Sequence, residues 1–202
     1  ALVRDAQTEQ TLESLRERVV KTAETISGQI RKMTTLINDL LEVTQLTDPS
    51  APLRLEDVDL ADVVRDTVER FQAQAAKAGC ELIVHATPGV MGRWDRHRLE
   101  QVASSLLSNA LKYGSGHPVT IRVEQARGRA RLSVRDEGIG IAPGSLQAIF
   151  EKFTRAVSAR HYGGLGLGLF ITRQIVEAHH GTLRVLSQPG HGATFIVELP
   201  SP

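Results

Sequence analysis

Arg135-Asp136-Glu137-Gly138-Ile139-Gly140-Ile141-Ala142-Pro143 sets an acidic side chain at the end of an alternating apolar run and follows it with two glycines. The run before it, Arg129 to Arg135, alternates as a strand does. With Pro118 to Glu124 it predicts a hairpin turning at Arg127-Gly128. A carboxylate at a strand end, beside backbone that glycine leaves open, can accept a hydrogen bond from the exocyclic amine of a base. The same pattern also suits a plain turn.

Two further clusters flank this one. Upstream, Asp95 precedes a predicted helix from Arg96 to Tyr113 that Gly114 ends. Val102, Leu106 and Ala110 form its apolar face, and Gln101, Ser105, Asn109 and Lys112 form a second row one turn apart. An exposed Asn and Lys row can ligate a hydrated Mg²⁺ and touch phosphates, and it equally describes a solvated helix face. Downstream, Gly163-Gly164-Leu165-Gly166-Leu167-Gly168-Leu169 feeds glycines into a predicted helix reaching His179. Backbone N–H groups and a helix N-terminus suit an anion there. The stretch has neither the lysine spacing of a P-loop nor the strand-first arrangement of a dinucleotide site. At least two of its three leucines read as core. Between these clusters, Phe150, Phe153 and Arg155, followed by Ser158 to Tyr162, suggest a hinged lid anchored by both phenylalanines.

The rest of the chain completes an α+β reading. Leu53–Val58, Cys80–Ala86 and Gly92–Asp95 predict strands. Asp59 predicts the cap of a helix from Leu60 to Ala78 that stops at Gly79. Thr182–Ser187 and Ala193–Leu199 predict a last hairpin through Pro189-Gly190-His191-Gly192. The expected architecture is a two-layer sandwich, a mixed sheet backed by helices. Ahead of it, Leu12 to Leu46 holds no proline and carries apolar residues at steps of three and four. That predicts one long helix with a heptad seam that needs a partner helix. Asp48-Pro49-Ser50-Ala51-Pro52 reads as a hinge. A net charge of +1 gives no broad field for nucleic acid or an anionic membrane, and no apolar run is long enough to span a bilayer. The single cysteine, Cys80, allows no internal disulfide, which agrees with a reducing cytoplasm.

In this order the clusters resemble the Asn-bearing box, the two glycine boxes and the phenylalanine box of the sensor histidine kinases, within the ATPase superfamily that includes gyrase and the heat-shock chaperone ATPases. The resemblance covers about residues 53–200 and implies a catalytic ATP-binding domain at 53–202. It also implies that residues 1–48 are part of a dimerisation and histidine-phosphotransfer hairpin, mainly its second helix, which pairs in a homodimer. By resemblance Asn109 would ligate Mg²⁺, Lys112 would pair with a phosphate, and Tyr113 would pack near adenine. Asp136 would accept the adenine amino group, in a pocket shaped by Gly138 and Gly140. Gly164, Gly166 and Gly168 would cradle the phosphates, and Arg155 would reach the γ-phosphate. The cofactors implied are ATP and Mg²⁺, and the partner is a response regulator receiver domain. A cytoplasmic location is expected, with no nucleic acid and no membrane contact by this stretch.

Three departures stand out. Ser105 occupies the place of a second Asn, and Leu165 that of a frequent Thr. The family's acceptor-histidine sequence is absent: none of His85, His97, His117, His161, His179, His180 and His191 has that setting, and all read as structural or solvated. The chain opens on Ala1 and reads as a piece of a longer protein that starts after that site, so it is expected to bind ATP without phosphorylating itself. The alternatives are a pseudokinase or nucleotide sensor with a Ser105-weakened metal site, and a coiled-coil dimeriser without activity. The persistence of Asn109, Lys112, Asp136 and the three glycines argues against the dimeriser, and an ATPase using water ranks low because Ser105 stands where such enzymes carry a Glu base.

Overall fold

The computed structural model describes residues 16, 18–23, 25–30, 33–34, 52–126, 128–154 and 166–201. The chain divides into two compact units, Ala1–Leu41 and Glu42–Pro202. In the first, the described residues between Arg16 and Thr34 are helical, and the seam residues Val19, Ile26, Ile30 and Met33 are exposed. The remainder of the predicted Leu12–Leu46 helix, and the hinge from Asp48 to Ala51, lie outside the described residues.

In the second unit, β1 (Glu56–Asp59) leads into α1 (Leu60–Ala78). Asp59 caps α1 by accepting from the Ala61 N–H, and Gly79 ends it in the left-handed conformation. Next come β2 (Leu82–Ala86), β3 (Met91–Trp94) and α2 (Arg96–Tyr113). The hairpin β4 (Val119–Ala126) and β5 (Arg129–Arg135) is followed by two short 3₁₀ turns, Pro143–Ser145 and Ala148–Phe150. α3 (Gly168–Ala178), β6 (Thr182–Ser187) and β7 (Ala193–Pro200) complete the order. Between Asp136 and Phe153 the helical backbone is limited to these two turns, the first opened by Pro143. The first strand begins three residues later than the alternation from Leu53 suggests.

The main sheet has the order β2-β4-β5-β7-β6 and is mixed: β2 runs parallel to β4 and the other pairs are antiparallel. β1 and β3 pair separately as a two-stranded ribbon. One face of the main sheet contributes Val119, Ile121, Val123, Leu132, Val134, Phe195, Val197 and Leu199 to the core. Against it pack the apolar faces of the helices: Val63, Val64 and Val68 of α1, Val102, Leu106 and Ala110 of α2, and Ile171 and Ile175 of α3. The other face carries charge. Arg131 bridges Glu198 at 2.7 Å and Glu124 at 3.3 Å, and Arg184 reaches Glu198 at 3.0 Å. The hydrogen bond from Arg131 holds the Glu198 carboxyl below its ordinary range.

α2 is anchored at its start. Asp95 accepts from the Arg98 N–H at 3.1 Å and the Arg54 N–H at 3.0 Å, while its own N–H donates 2.9 Å to Nε2 of the buried His179. The ring's Nδ1 donates 2.8 Å to the Ile175 carbonyl. Trp94 Nε1 donates 3.1 Å to the Pro200 carbonyl and ties the ribbon to the last strand.

Leu106 is fully buried at the junction of α2 with the sheet. Leu106→Ala is expected to lower stability by about 2–5 kcal/mol in urea unfolding. The exposed Met91→Ala should change it by no more than about 0.5 kcal/mol.

Candidate nucleotide site

α2 ends where the loop after β5 begins. Asn109, Lys112 and Tyr113 lie in the last turns of α2: Asn109 and Lys112 are half-buried, and Lys112 Nζ sits 4.8 Å from the Tyr113 ring centroid. The α2 backbone then runs against the glycine loop. Ile139 N–H points at the Tyr113 carbonyl (3.4 Å), and a Cβ added at Gly138 would lie 2.0 Å from that same oxygen. No side chain fits in that gap, so glycine at 138 is required by backbone packing against backbone.

Asp136 is only 4% exposed. Its Oδ1 accepts from the Gly138 N–H at 3.0 Å and the Ala193 N–H at 3.3 Å. Both donors engage one oxygen, which fixes the carboxylate's orientation. Burial pushes the carboxyl above its ordinary range, and the backbone donors offset part of that. A carboxyl raised in the folded state contributes stability that is complete below its unfolded pKa and is lost as pH rises through the folded value. At neutral pH the ionised Asp136 therefore costs stability.

The loop is gripped from its other side by the β6–β7 turn. Gly192 N–H donates to the Gly138 carbonyl at 2.9 Å, and Gly190 N–H to the Ile139 carbonyl at 2.8 Å. Ser187 Oγ accepts from Ile141 N–H and donates to the Gly192 carbonyl, at 2.9 and 2.6 Å. Gly192 takes φ +74°, and a Cβ there would sit 2.0 Å from the Asp136 carbonyl oxygen. Gly140 faces this turn too, against the Gln188 carbonyl. Sequence reasoning does not assign the supporting roles of Ser187, Gln188 and Gly192. The only signal in the sequence was the turn composition Pro189-Gly190-His191-Gly192, which says nothing of where the turn docks.

Of the second glycine cluster, Gly166 and Gly168 lie among the described residues. Gly166 (φ +72°) packs under the Thr154 carbonyl, and Gly168 opens α3 beside Ser105 Oγ, where an added Cβ would be 3.1 Å away. Ser105 thus borders the start of α3. Asn109 lies one turn further along α2. Leu167 is buried and Leu169 packs on the core, as two of the three leucines were expected to do. Phe150 packs against the core, but Phe153 does not: it is 62% exposed at φ +63°, so one phenylalanine anchors this end of the loop rather than two. Arg155, Ser158 to Tyr162, Gly164 and Leu165 lie outside the described residues. Tyr113, Asp136 and Gly138 come together at the end of α2, Asn109 and Lys112 lie in its last turns, Gly140 packs on the β6–β7 turn, and Gly168 meets α2 at Ser105.

Residues 94–202 match the family of histidine kinase-, DNA gyrase B-, and HSP90-like ATPases. The chain belongs to this family. The sensor histidine kinase MtrB of Mycobacterium leprae is 33% identical over 183 residues, covering 89% of this chain and 33% of that protein. The chain thus spans about a third of that curated relative. Among solved structures, the mycobacterial sensor histidine kinase MprB is 33% identical, with a TM-score of 0.65 over 73% of this chain and 99% of that one. Full-length ShkA, solved in complex with AMPPNP, is 30% identical with a TM-score of 0.73, over 83% of this chain and 35% of that one. This histidine kinase-like ATPase module has the family's sheet backed by helices, and its relatives support ATP as the ligand. No helix among its described residues is long and apolar enough to cross a membrane.

Two outcomes follow from the clamped loop. Asp136→Asn should raise the stability of the ligand-free module by about 1 kcal/mol at pH 7, because a neutral amide replaces a buried charge; thermal unfolding with and without nucleotide measures it. Gly138→Ala should destabilise by about 2 kcal/mol or more, since backbone must move to admit the methyl group; urea midpoints measure it.

Proposed function

We propose that this chain is the catalytic ATP-binding module of a sensor histidine kinase. In the intact protein a histidine nitrogen outside this sequence attacks the γ-phosphorus of ATP, ADP leaves, and the phosphoryl group passes on to an aspartate of a response regulator. The observation that carries this reading is Asp136: a buried carboxylate at a strand end, held by two backbone N–H groups beside Lys112 and Tyr113. The backbone donors offset only part of the cost of burying that charge, and an adenine amino group would offset more of it.

Residues 53–202 form the catalytic domain in this reading, and residues 1–48 belong to the dimerisation and phosphotransfer hairpin. The exposed seam of Val19, Ile26, Ile30 and Met33 supports homodimerisation through the first helix, because its steps of seven, four and three are those of a coiled coil. Asp136 reads the adenine amino group, Tyr113 packs near the ring, and Gly138 and Gly140 hold the pocket. Lys112 and Arg155 meet phosphates, and Gly164, Gly166 and Gly168 line them. Mg²⁺ fits the donor set at Asn109: one amide oxygen, and no group of three His, Cys, Asp or Glu among the described residues. A hydrated ion held mainly by phosphate oxygens suits such a set. The location proposed is the cytoplasm, where ATP and receiver domains are found. A pseudokinase is the second reading, favoured by Ser105, which borders Gly168 and offers no second amide to the metal.

Calorimetric titration with a non-hydrolysable ATP analogue tests the site. Binding should require Mg²⁺ and weaken at least about tenfold in Asp136→Asn, the loss expected when a buried charge-assisted hydrogen bond is removed. Labelling of a separately supplied hairpin that carries the acceptor histidine then separates kinase from pseudokinase; Mg²⁺-independent binding without labelling selects the pseudokinase.

A further inference from the structure

His179 is 4% exposed and holds α3 to α2 at the end remote from the glycine turn. Both ring nitrogens are committed. Nδ1 faces the Ile175 carbonyl at 2.8 Å, so it carries the proton, and Nε2 faces the Asp95 N–H at 2.9 Å, so it must accept. The ring is therefore neutral, in one tautomer. The residue it reaches is the cap of α2: Asp95 also accepts from Arg98 N–H and Arg54 N–H. α2 and α3 share a packed apolar face, and two further contacts mark its ends. One is Gly168 against Ser105, and the other is His179 against Asp95, ten residues or on the order of 15 Å back along α2.

We propose that neutral His179 is a positioning residue for nucleotide binding, locking the Asn109 and Lys112 row of α2 against the α3 glycine turn, and that its protonation makes nucleotide affinity fall in acid. This rests on the ATP-binding reading above. A second proton on Nε2 would point at the Asp95 N–H, donor against donor, and break this end of the contact between the helices. Every facing charge bears on this. The Asp95 carboxylate at the α2 cap favours the charged ring, while Arg98 in the first turn of α2 and neighbouring His180 oppose it. On the β5 side, Arg129 Nη2 reaches the His180 carbonyl at 3.4 Å, and on α3 itself Glu177 is paired with Arg173. Burial is the largest influence and lowers the ring's pKa from 6.5. With the folded value depressed, the contribution of His179 is complete above about pH 6.5 and is lost as pH falls through the folded value.

The test is analogue affinity with Mg²⁺ from pH 5 to 8 for the wild type, His179→Gln and His180→Gln, with circular dichroism to confirm folding. In His179→Gln the new side chain can present an amide oxygen near the Nε2 position and does not titrate. The titrations of the nucleotide and of Asp136 are common to all three proteins. Wild type and His180→Gln should lose an additional affinity, relative to His179→Gln, that approaches tenfold per pH unit below the folded pKa. Equal pH profiles for wild type and His179→Gln overturn the proposal. Should His179→Gln fail to fold, ring ¹⁵N shifts of the wild type decide: saturating analogue must lower the His179 titration midpoint, by reciprocity of coupling, and an unmoved midpoint overturns the coupling alone. Absence of binding at pH 8 overturns the nucleotide reading itself, and the coupling with it.

Discussion

The site depends on a place where three stretches of backbone meet with no side chain between them. The Tyr113 carbonyl, the Asp136–Gly138 segment and the β6–β7 turn are in direct contact, and glycine is required on both sides of the middle segment. The end of α2, the end of β5 and the start of β7 are thereby held at fixed separations. Side-chain rotamers contribute little to that spacing, which is why a binding pocket for a rigid planar base can be shaped there. Asp136 is oriented by donors from two of these stretches, so its direction is a property of the junction and not of the side chain.

Charge is distributed unevenly over the two faces of the sheet. On the outer face, Arg131 serves Glu198 and Glu124 in solvent, where each pair contributes little. On the helix-covered side, the prominent charge is the buried Asp136, which stands without a cation among its hydrogen-bonding partners. The fold therefore tolerates an electrostatic cost at Asp136, where burial disfavours the ionised carboxyl. Such local departures from good packing practice are expected at functional sites.

The helices and the hairpins were legible because their punctuation is local. Asp59 and Gly79 bound α1 and Gly114 ends α2 as the sequence suggests, and β4 pairs with β5 as the predicted hairpin. The candidate site was legible in part, since Asp136 and the glycines after it advertise open backbone beside a carboxylate. What escaped was everything set by tertiary contact: that β1 and β3 leave the main sheet, that Gly192 closes over Asp136, and that His179 is bonded to Asp95 84 residues earlier in the chain. Phe153 was misjudged for the same reason. A phenylalanine resembles core by type, but Phe153 is exposed on a backbone of positive φ.

The position of β7 has a consequence for the order in which this protein can assemble on the ribosome. β7 is made after every other strand of this sheet, yet it lies inside the sheet, bonded to β5 on one side and β6 on the other. Until residues 192–200 emerge, β5 waits with one edge open, and Asp136 lacks both the Ala193 donor and the Gly192 cover. A nascent chain at that stage displays a strand ready to pair with any neighbour. Arg129, Arg131 and Arg135 space three positive charges along that waiting strand. Like charges at those positions oppose the pairing of two such open edges with each other.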